Sequence, residues 1–280
     1  MDPSCLENTL TEDEASHFKE NGFLIVPNAI PQSTVDDVTV ADNVNRDERA
    51  RMGREPGARI NHYNFIGKHE AFLELVDCPT TFPKVWGILG WNIHLYLAHL
   101  DVTPPEPPDR DRGVGLSWHQ DSGRVNLEME TSPRPRLSVK VAYFLSDTSV
   151  PGRGNFHVIP GSQRKDKVRF PKGDRKQEIR GGEPILAPKG SAVIFDRRLW
   201  HARSPNHSPH VRKALFYGYS YRWLRTKDDM TIDPDLLAAC DPIRQQLLGQ
   251  GTNCNGYFSP KDEDVPLKLW FEEHLTETIA

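Results

Sequence analysis

The segment Trp118-His119-Gln120-Asp121 places an imidazole and a carboxylate two residues apart, where a strand gives way to a loop. In an extended chain, residues i and i+2 point the same way, so His119 and Asp121 can share one metal ion. His201, much later in the chain and at the end of the apolar run SAVIFDRRLW, supplies a third donor. Two imidazoles and one carboxylate on iron(II) leave three coordination positions open, enough for a bidentate co-substrate and O₂. The same donors with one water would also suit zinc, so the set alone leaves the metal open. Taken alone, the motif is weakly specific. In a chain with eleven histidines, roughly one His-x-Asp arises by chance. A second does occur, His99-Leu100-Asp101, at the end of a strand. Context favours the later pair as ligands, and His99 reads as an inward polar group near a pocket.

Arg212 follows His201 by eleven residues and opens the apolar, aromatic run RKALFYGYSY. A guanidinium fork matches a carboxylate bidentately, and lysine is a poor replacement. Pointing inward, Arg212 would hold the distal carboxylate of 2-oxoglutarate while the 2-oxo acid end chelates iron. A zinc hydrolase has no general need of such a residue. Lys140, in LSVKVAY, shares a face with Ser138 and Ala142. It is a candidate co-substrate contact if inward, where it would meet an acidic group, and an edge-strand charge otherwise. Trp118 suits a pocket wall or a core position. Asn155 and His157 share one face of NFHVIP, and Phe216 to Trp223 reads as core.

The elements that must position these groups follow from periodicity. Thr11 and Glu14 form a capping-box signature ahead of a short helix over Glu12 to Glu20, stopped near Gly22. FLIVP (Phe23 to Pro27) reads as a buried strand and Pro31 to Asn43 as a second helix. Residues 44–57 are charged and unpatterned, which predicts a mobile loop or lid edge. Helices are expected from His69 and over Phe82 to Leu89. The period then changes. Asn92 to Val102, Leu137 to Asp147, NFHVIP, SAVIF and RKALFYGYSYRW read as short strands between turns, which indicates a sandwich or small barrel. Two long polar insertions interrupt them, Thr103 to Gly115 and Gln163 to Gly182, and the tail turns helical over Pro234 to Leu248 and Leu267 to Leu275. One compact domain, helical at both ends around a β core, is the simplest account.

Bulk properties narrow the classes. A formal net charge of −4 and a pI near 6.3 give no basic footprint for nucleic acid. Cys5, Cys78, Cys240 and Cys254 are scattered, as expected of reduced thiols rather than a zinc finger. The first residues carry no charged-then-apolar leader, and no apolar run approaches the roughly 18 residues of a membrane span. A cytoplasmic protein without a membrane partner is the expectation. Oligomeric state is open.

Three stretches together resemble the phytanoyl-CoA dioxygenase family of iron/2-oxoglutarate oxygenases. They are the His-x-Asp at His119, the segment DTSVPGRGNFHVIPGSQ (Asp147 to Gln163) with its PGSH-like turn, and HARSPNHSPHVRKA (His201 to Ala214). The similarity runs from about Leu10 to Tyr221. It implies a mainly β fold with flanking helices and a double-stranded β-helix (jelly-roll, cupin-like) core. Its parts would be a helical portion over about 1–90, the core over about 91–225 and a helical tail over about 226–280. The resemblance also implies Fe(II) on His119, Asp121 and His201, 2-oxoglutarate on Arg212, and O₂ as oxidant. GARINHYNFIGKHEAF looks like the family's segment before the core, where further co-substrate or substrate contacts arise. Two departures stand out. Gln163 replaces the turn's histidine, which bears on local packing. Arg203 occupies a position often held by serine, so one co-substrate hydrogen bond falls to Ser204 or Ser208 or is absent. The carboxylate Asp121, which related halogenases lack, argues against halogenation. The expected activity is dioxygenase oxidation, hydroxylation foremost, of a small molecule with release of succinate and CO₂, in a setting such as natural-product biosynthesis. The alternatives are an acyl-CoA hydroxylase, for which the basic run Gln163 to Arg180 would attract phosphate, and a zinc-binding or catalytically silent jelly roll.

Overall fold

Strand β4 (Ser138–Phe144) shows how the interior is divided. Val139, Val141 and Tyr143 pack into a large apolar cluster shared with the helices. Ala142 and Phe144, on the opposite face, join a second cluster. Ser138 and Lys140 share that second face by strand alternation. Strand β9 (Arg212–Tyr221) divides in the same way, with Leu215, Tyr217 and Tyr219 toward the helices and Ala214 and Phe216 inward. Arg212 has the inward parity. The computed structural model describes residues 1–55, 57–106, 115–121, 123–228, 230–250 and 265–275.

Around these two strands lies an antiparallel six-stranded sheet in the order β1-β7-β4-β9-β3-β2. It comprises β1 (Phe23–Val26), β2 (Ile60–His62), β3 (Ile93–Thr103), β4, β7 (Ala192–Asp196) and β9. A three-stranded sheet, β6-β5-β8, faces it, built from β5 (Phe156–Val158), β6 (Glu183–Ile185) and β8 (His201–Arg203). Phe156, Val158 and Ile185 of the small sheet meet Phe144, Val193, Phe195 and Phe216 of the large one, closing a jelly-roll sandwich. Lys140 therefore stands on a central strand, not at an edge.

One irregularity redirects the third wall. The register of β3 on β9 passes from Leu95 opposite Tyr219 to Leu97 opposite Gly218, leaving Tyr96 as an extra residue. Such a bulge inverts the alternation beyond it. Ile93 and Leu95 pack toward the helices, but so do Ala98, Leu100 and Val102 after the bulge. His99 and Asp101 are thereby turned inward. Gly218 sits opposite, where a Cβ would lie 3.1 Å from both Leu97 O and the Tyr96 ring.

The helices close the outer face of the large sheet. α1 (Glu12–Asn21) carries the expected capping box and ends at Gly22, whose φ of 85° suits glycine. Gln163, at the end of the PGSH-like turn, donates to the Lys19 and Glu20 carbonyls at the end of that helix. After α2 (Gln32–Asp36) comes α3 (Val38–Met52), which corrects the expectation of a loop over 44–57. The charges there pair along the helix, with Arg51 bonding both oxygens of Glu48, and the left-handed Gly53 ends it. Buried Ala41, with Val40 and Val44 packed on the core, anchors its apolar side. α4 (Glu70–Glu74), α5 (Phe82–Leu89) and the short α6 (Gly123–Glu128) follow. The single helix expected over Pro234 to Leu248 is two, α7 (Pro234–Ala238) and α8 (Pro242–Leu247), because Asp241 caps a fresh start before Pro242. α9 (Pro266–His274) completes the described chain. Among the described residues, no helix is long and apolar enough to cross a membrane. Cys5, Cys78 and Cys240 are free, and Cys254 lies outside the described residues.

Candidate metal centre

His119 and His201 are brought together by the backbone. Each accepts the other's N–H at 2.9 Å across a two-residue bridge, so the segment before Asp121 lies along β8 as a further short strand. Opposed residues of that kind put their side chains side by side, and the two imidazole centroids are 4.3 Å apart. Asp121, two residues on, is held by its N–H to the Arg197 carbonyl at 3.0 Å and by its own carbonyl to Asn126 Nδ2 at 3.1 Å. One donor atom from each of His119, Asp121 and His201 lies within 4.8 Å of the others.

The donor atoms are also in the right chemical form. Nδ1 of His119 is 2.9 Å from the Ser117 carbonyl, and Nδ1 of His201 is 2.8 Å from the Leu199 carbonyl. A carbonyl only accepts, so each Nδ1 donates and Nε2 is the ring atom left facing the site. Burial, aided by His119, lowers the His201 pKa to about 3, which leaves it neutral at physiological pH. Burial alone would raise the Asp121 pKa. The Lys140 ammonium, 2.9 Å from Oδ2, overrides this and holds the carboxyl well below the usual range. Two imidazoles that each leave Nε2 free, and an ionised carboxylate, converging from one side are a divalent-cation donor set, and they fit iron(II).

These residues line one end of a cavity of about 480 Å³, a size suited to one or two small ligands. Arg212 lines it too, buried at the start of β9, with Arg59, Asp101 and Arg203. Asp101 receives Nε and Nη2 of Arg59 at 3.1 and 2.9 Å and Nη1 of Arg212 at 3.1 Å. Burial lowers the Arg212 pKa to about 10 against the pull of Asp101, so the guanidinium remains charged. Its Nε is buried without a partner among the described residues. Phe216 lies beneath the guanidinium at 5.9 Å, His99 stacks on Phe216 at 4.5 Å, and exposed Tyr63 continues the column 5.8 Å from His99.

The cavity thus gathers His119, Asp121, His201, Arg212 and Lys140. It also takes in His99 and Asp101 of the second His-x-Asp, neither of which joins the metal donor group; Asp101 pairs with the arginines instead. Other candidates lie elsewhere. Trp118 is a core residue packed with Phe170 and Trp200. Asn155 is fully buried and bonds the Thr148 and Val150 carbonyls. His157 meets the edge of Trp118. Tyr217 and Tyr219 are core, their hydroxyls on the Phe72 and Val76 carbonyls, whereas Phe216 of the same run lines the cavity. Arg203 bonds Glu106 at 3.1 Å, and Ser208 Oγ is spent on Asn206 Oδ1. No residue of the basic run 163–180 lines the cavity. Its Lys176 and Arg175 carbonyls instead accept the N–H groups of Leu116 and Trp118.

Arg59, Asn61, Tyr63 and Lys227 were not singled out. The first three fall in GARINHYNF, flagged only as a segment, and their alternation across β2 was the available signal. Lys227 follows the last core strand and carries no local mark.

With this geometry in place, the comparisons with known proteins take on meaning. The chain is 25% identical to Rv1501, an uncharacterized protein of Mycobacterium tuberculosis, over 94% of its own length and 97% of the relative's. It is 24% identical to the ectoine dioxygenase of Nocardia farcinica over 77% and 79% of the two chains. In fold it resembles HygX from Streptomyces hygroscopicus, solved with nickel and 2-oxoglutarate bound. That match has a TM-score of 0.61 at 16% identity and covers 81% of this chain and 94% of HygX. SnoK, an alpha-ketoglutarate-dependent carbocyclase of nogalamycin biosynthesis, superposes with a TM-score of 0.55 at 20% identity over 75% and 84%. The model of the phytanoyl-CoA dioxygenase (PhyH) family matches residues 18–214. The chain belongs to the phytanoyl-CoA dioxygenase family, and it is a dioxygenase of the iron- and 2-oxoglutarate-dependent kind.

Proposed function

We propose that the protein hydroxylates a small molecule, with iron held by His119, Asp121 and His201 and 2-oxoglutarate anchored on Arg212. The observation that carries this reading is the placement of the three donors and a buried guanidinium in one cavity. Iron with 2-oxoglutarate and O₂ supplies the power to remove hydrogen from an unactivated carbon, the co-substrate leaving as succinate and CO₂.

The chain's own residues bind, orient and exclude. The backbone carbonyls of Ser117 and Leu199 fix the tautomer and ring orientation of the two histidines. Lys140 engages Oδ2 of Asp121 and leaves Oδ1, 4.0 Å from His201 Nε2, to the metal. Arg212 presents a charged fork to the distal carboxylate, and Asp101 and Arg59 hold that fork in place. Phe156, Phe195, Phe216 and Leu97 give the cavity apolar walls, which strengthen the charge interactions inside it. The Nocardia relative, named for a small metabolite, supports a free small-molecule substrate, as does the absence of the basic run from the cavity. Natural-product biosynthesis is the setting we favour, in keeping with SnoK's role.

The test is succinate formation from 2-oxoglutarate by the iron-loaded protein, beside His119→Ala. The reading expects succinate only from the intact triad. Succinate release retained by His119→Ala at saturating iron would remove it.

A further inference from the structure

The cavity continues beyond the residues around the metal donors. Asn61, Tyr63 and Lys227 line both it and an adjoining cleft of about 500 Å³ that runs out past Arg51, Met52 and Asp228. These three shared residues form the neck between them. Lys227 is pinned there: its N–H donates to the carbonyl of the bulge residue Tyr96 at 2.7 Å, and the neighbouring Asp228 accepts the Ala98 N–H at 2.7 Å.

Charge pairing sets Lys227 apart. Five cationic side chains line the main cavity, Arg59, Lys140, Arg203, Arg212 and Lys227. Lys140 faces Asp121, Arg59 and Arg212 share Asp101, and Arg203 is bonded to Glu106. Among the described residues Lys227 forms no ion pair; the acidic group that acts on it, from farther off, is Asp121, which is already engaged by Lys140. On the reading above, the two carboxylates of 2-oxoglutarate go to the metal and to Arg212, so neither neutralises it. An ammonium at the neck of a partly apolar cavity attracts an anion that arrives with the substrate.

We propose that Lys227 binds a carboxylate of the primary substrate, with the Asn61 amide beside it, and that the enzyme acts on small free carboxylic acids. The acid group sits at the neck and the carbon to be oxidised reaches inward, past Tyr63 toward the side of the cavity lined by His119, Asp121 and His201. One ammonium and one amide match the two oxygens of a carboxylate. An acyl-CoA would need several cations for its phosphates, and Arg51, the cation of the outer cleft other than Lys227, is already bonded twice to Glu48. This inference rests on the oxygenase reading, because that reading assigns the other cations.

The test uses the full chain loaded with zinc(II) and saturating 2-oxoglutarate, with benzoate, benzamide and phenyl phosphate as probes followed by saturation-transfer NMR. Benzoate is expected to bind about tenfold more tightly than benzamide. Lys227→Gln should erase the difference and Lys227→Arg should keep most of it, with circular dichroism confirming that both variants fold. Equal binding of acid and amide would overturn the proposal, as would no binding of either at millimolar concentration or a preference that survives Lys227→Gln. Tighter binding of phenyl phosphate than of benzoate would overturn the carboxylate assignment. The visible charge-transfer band of the wild-type protein with iron(II) and 2-oxoglutarate is recorded alongside. A band without acid preference sinks this inference alone, and acid preference without a band sinks the oxygenase reading and leaves an anion site.

Discussion

The two ends of the cavity are built on opposite principles. At the metal end, two imidazoles and a carboxylate turn their donor atoms toward one point, and Lys140 faces the carboxylate with positive charge. At the arginine end, Asp101 pairs with two guanidinium groups, both donors of Arg59 and one of Arg212, and Arg203 has Glu106. The first end is incomplete without a cation, whereas the second is an ion network already paired in part, with Arg212 Nε still free to meet a ligand. The difference teaches where binding energy must come from. Metal affinity follows directly from the donors, but a carboxylate arriving at Arg212 shares it with Asp101 and gains chiefly from geometry set in advance.

The comparison is broken most severely at the metal end. Asp121→Ala or His201→Ala should cut succinate release by at least about a thousandfold, because neither end can supply another donor. Arg212→Ala should spare metal binding but raise the KM for 2-oxoglutarate about 10- to 100-fold, read from initial rates. It should also strand Asp101 in the interior and lower stability by about 3 kcal/mol, measured by urea denaturation.

Asp101→Asn sharpens the contrast, since it opens the network without touching a ligand. The account expects lower stability, by about 2 kcal/mol, together with a few-fold lower KM for 2-oxoglutarate, as Arg212 no longer divides its charge. A rise in KM would mean that Asp101 positions the guanidinium more than it competes for it.

The remaining effect concerns pH. Burial lowers His99 to about 3 and His94 to about 4 from the usual 6.5. Between those values the unfolded chain binds more protons than the folded one, so stability should hold above about pH 6.5 and decline as pH falls below it. Asp101, held at about 2 against burial by Arg212 and Arg59, adds its own loss only below about pH 4. Melting temperature of the metal-free protein from pH 8 to pH 4 checks this, and a flat profile would contradict it.

The two ends also differed in how far the sequence exposed them. The donors at the metal end were legible because an i, i+2 pair and the end of an apolar run are local features. Arg212 was legible because it opens an aromatic strand. Its partners were not. Asp101 lies 111 residues from Arg212 and 42 from Arg59, and nothing local marks such a network. The facing of His99 and Asp101 depends on the bulge at Tyr96, which strand alternation read straight through would place on the helix side. The second His-x-Asp is therefore part of the cavity without joining the metal donors. Helix α3 was missed for a related reason: its charges satisfy one another, and its short apolar side shows no long period.

The most direct measurement is the weak visible charge-transfer band that forms when iron(II) and 2-oxoglutarate chelate together, recorded without oxygen on the wild-type protein, His201→Ala and Arg212→Ala. The account predicts a band in the wild type, its loss in His201→Ala, and a band in Arg212→Ala that needs far more 2-oxoglutarate to appear. No band from folded, iron-loaded wild-type protein, or an undiminished one from His201→Ala, would contradict it.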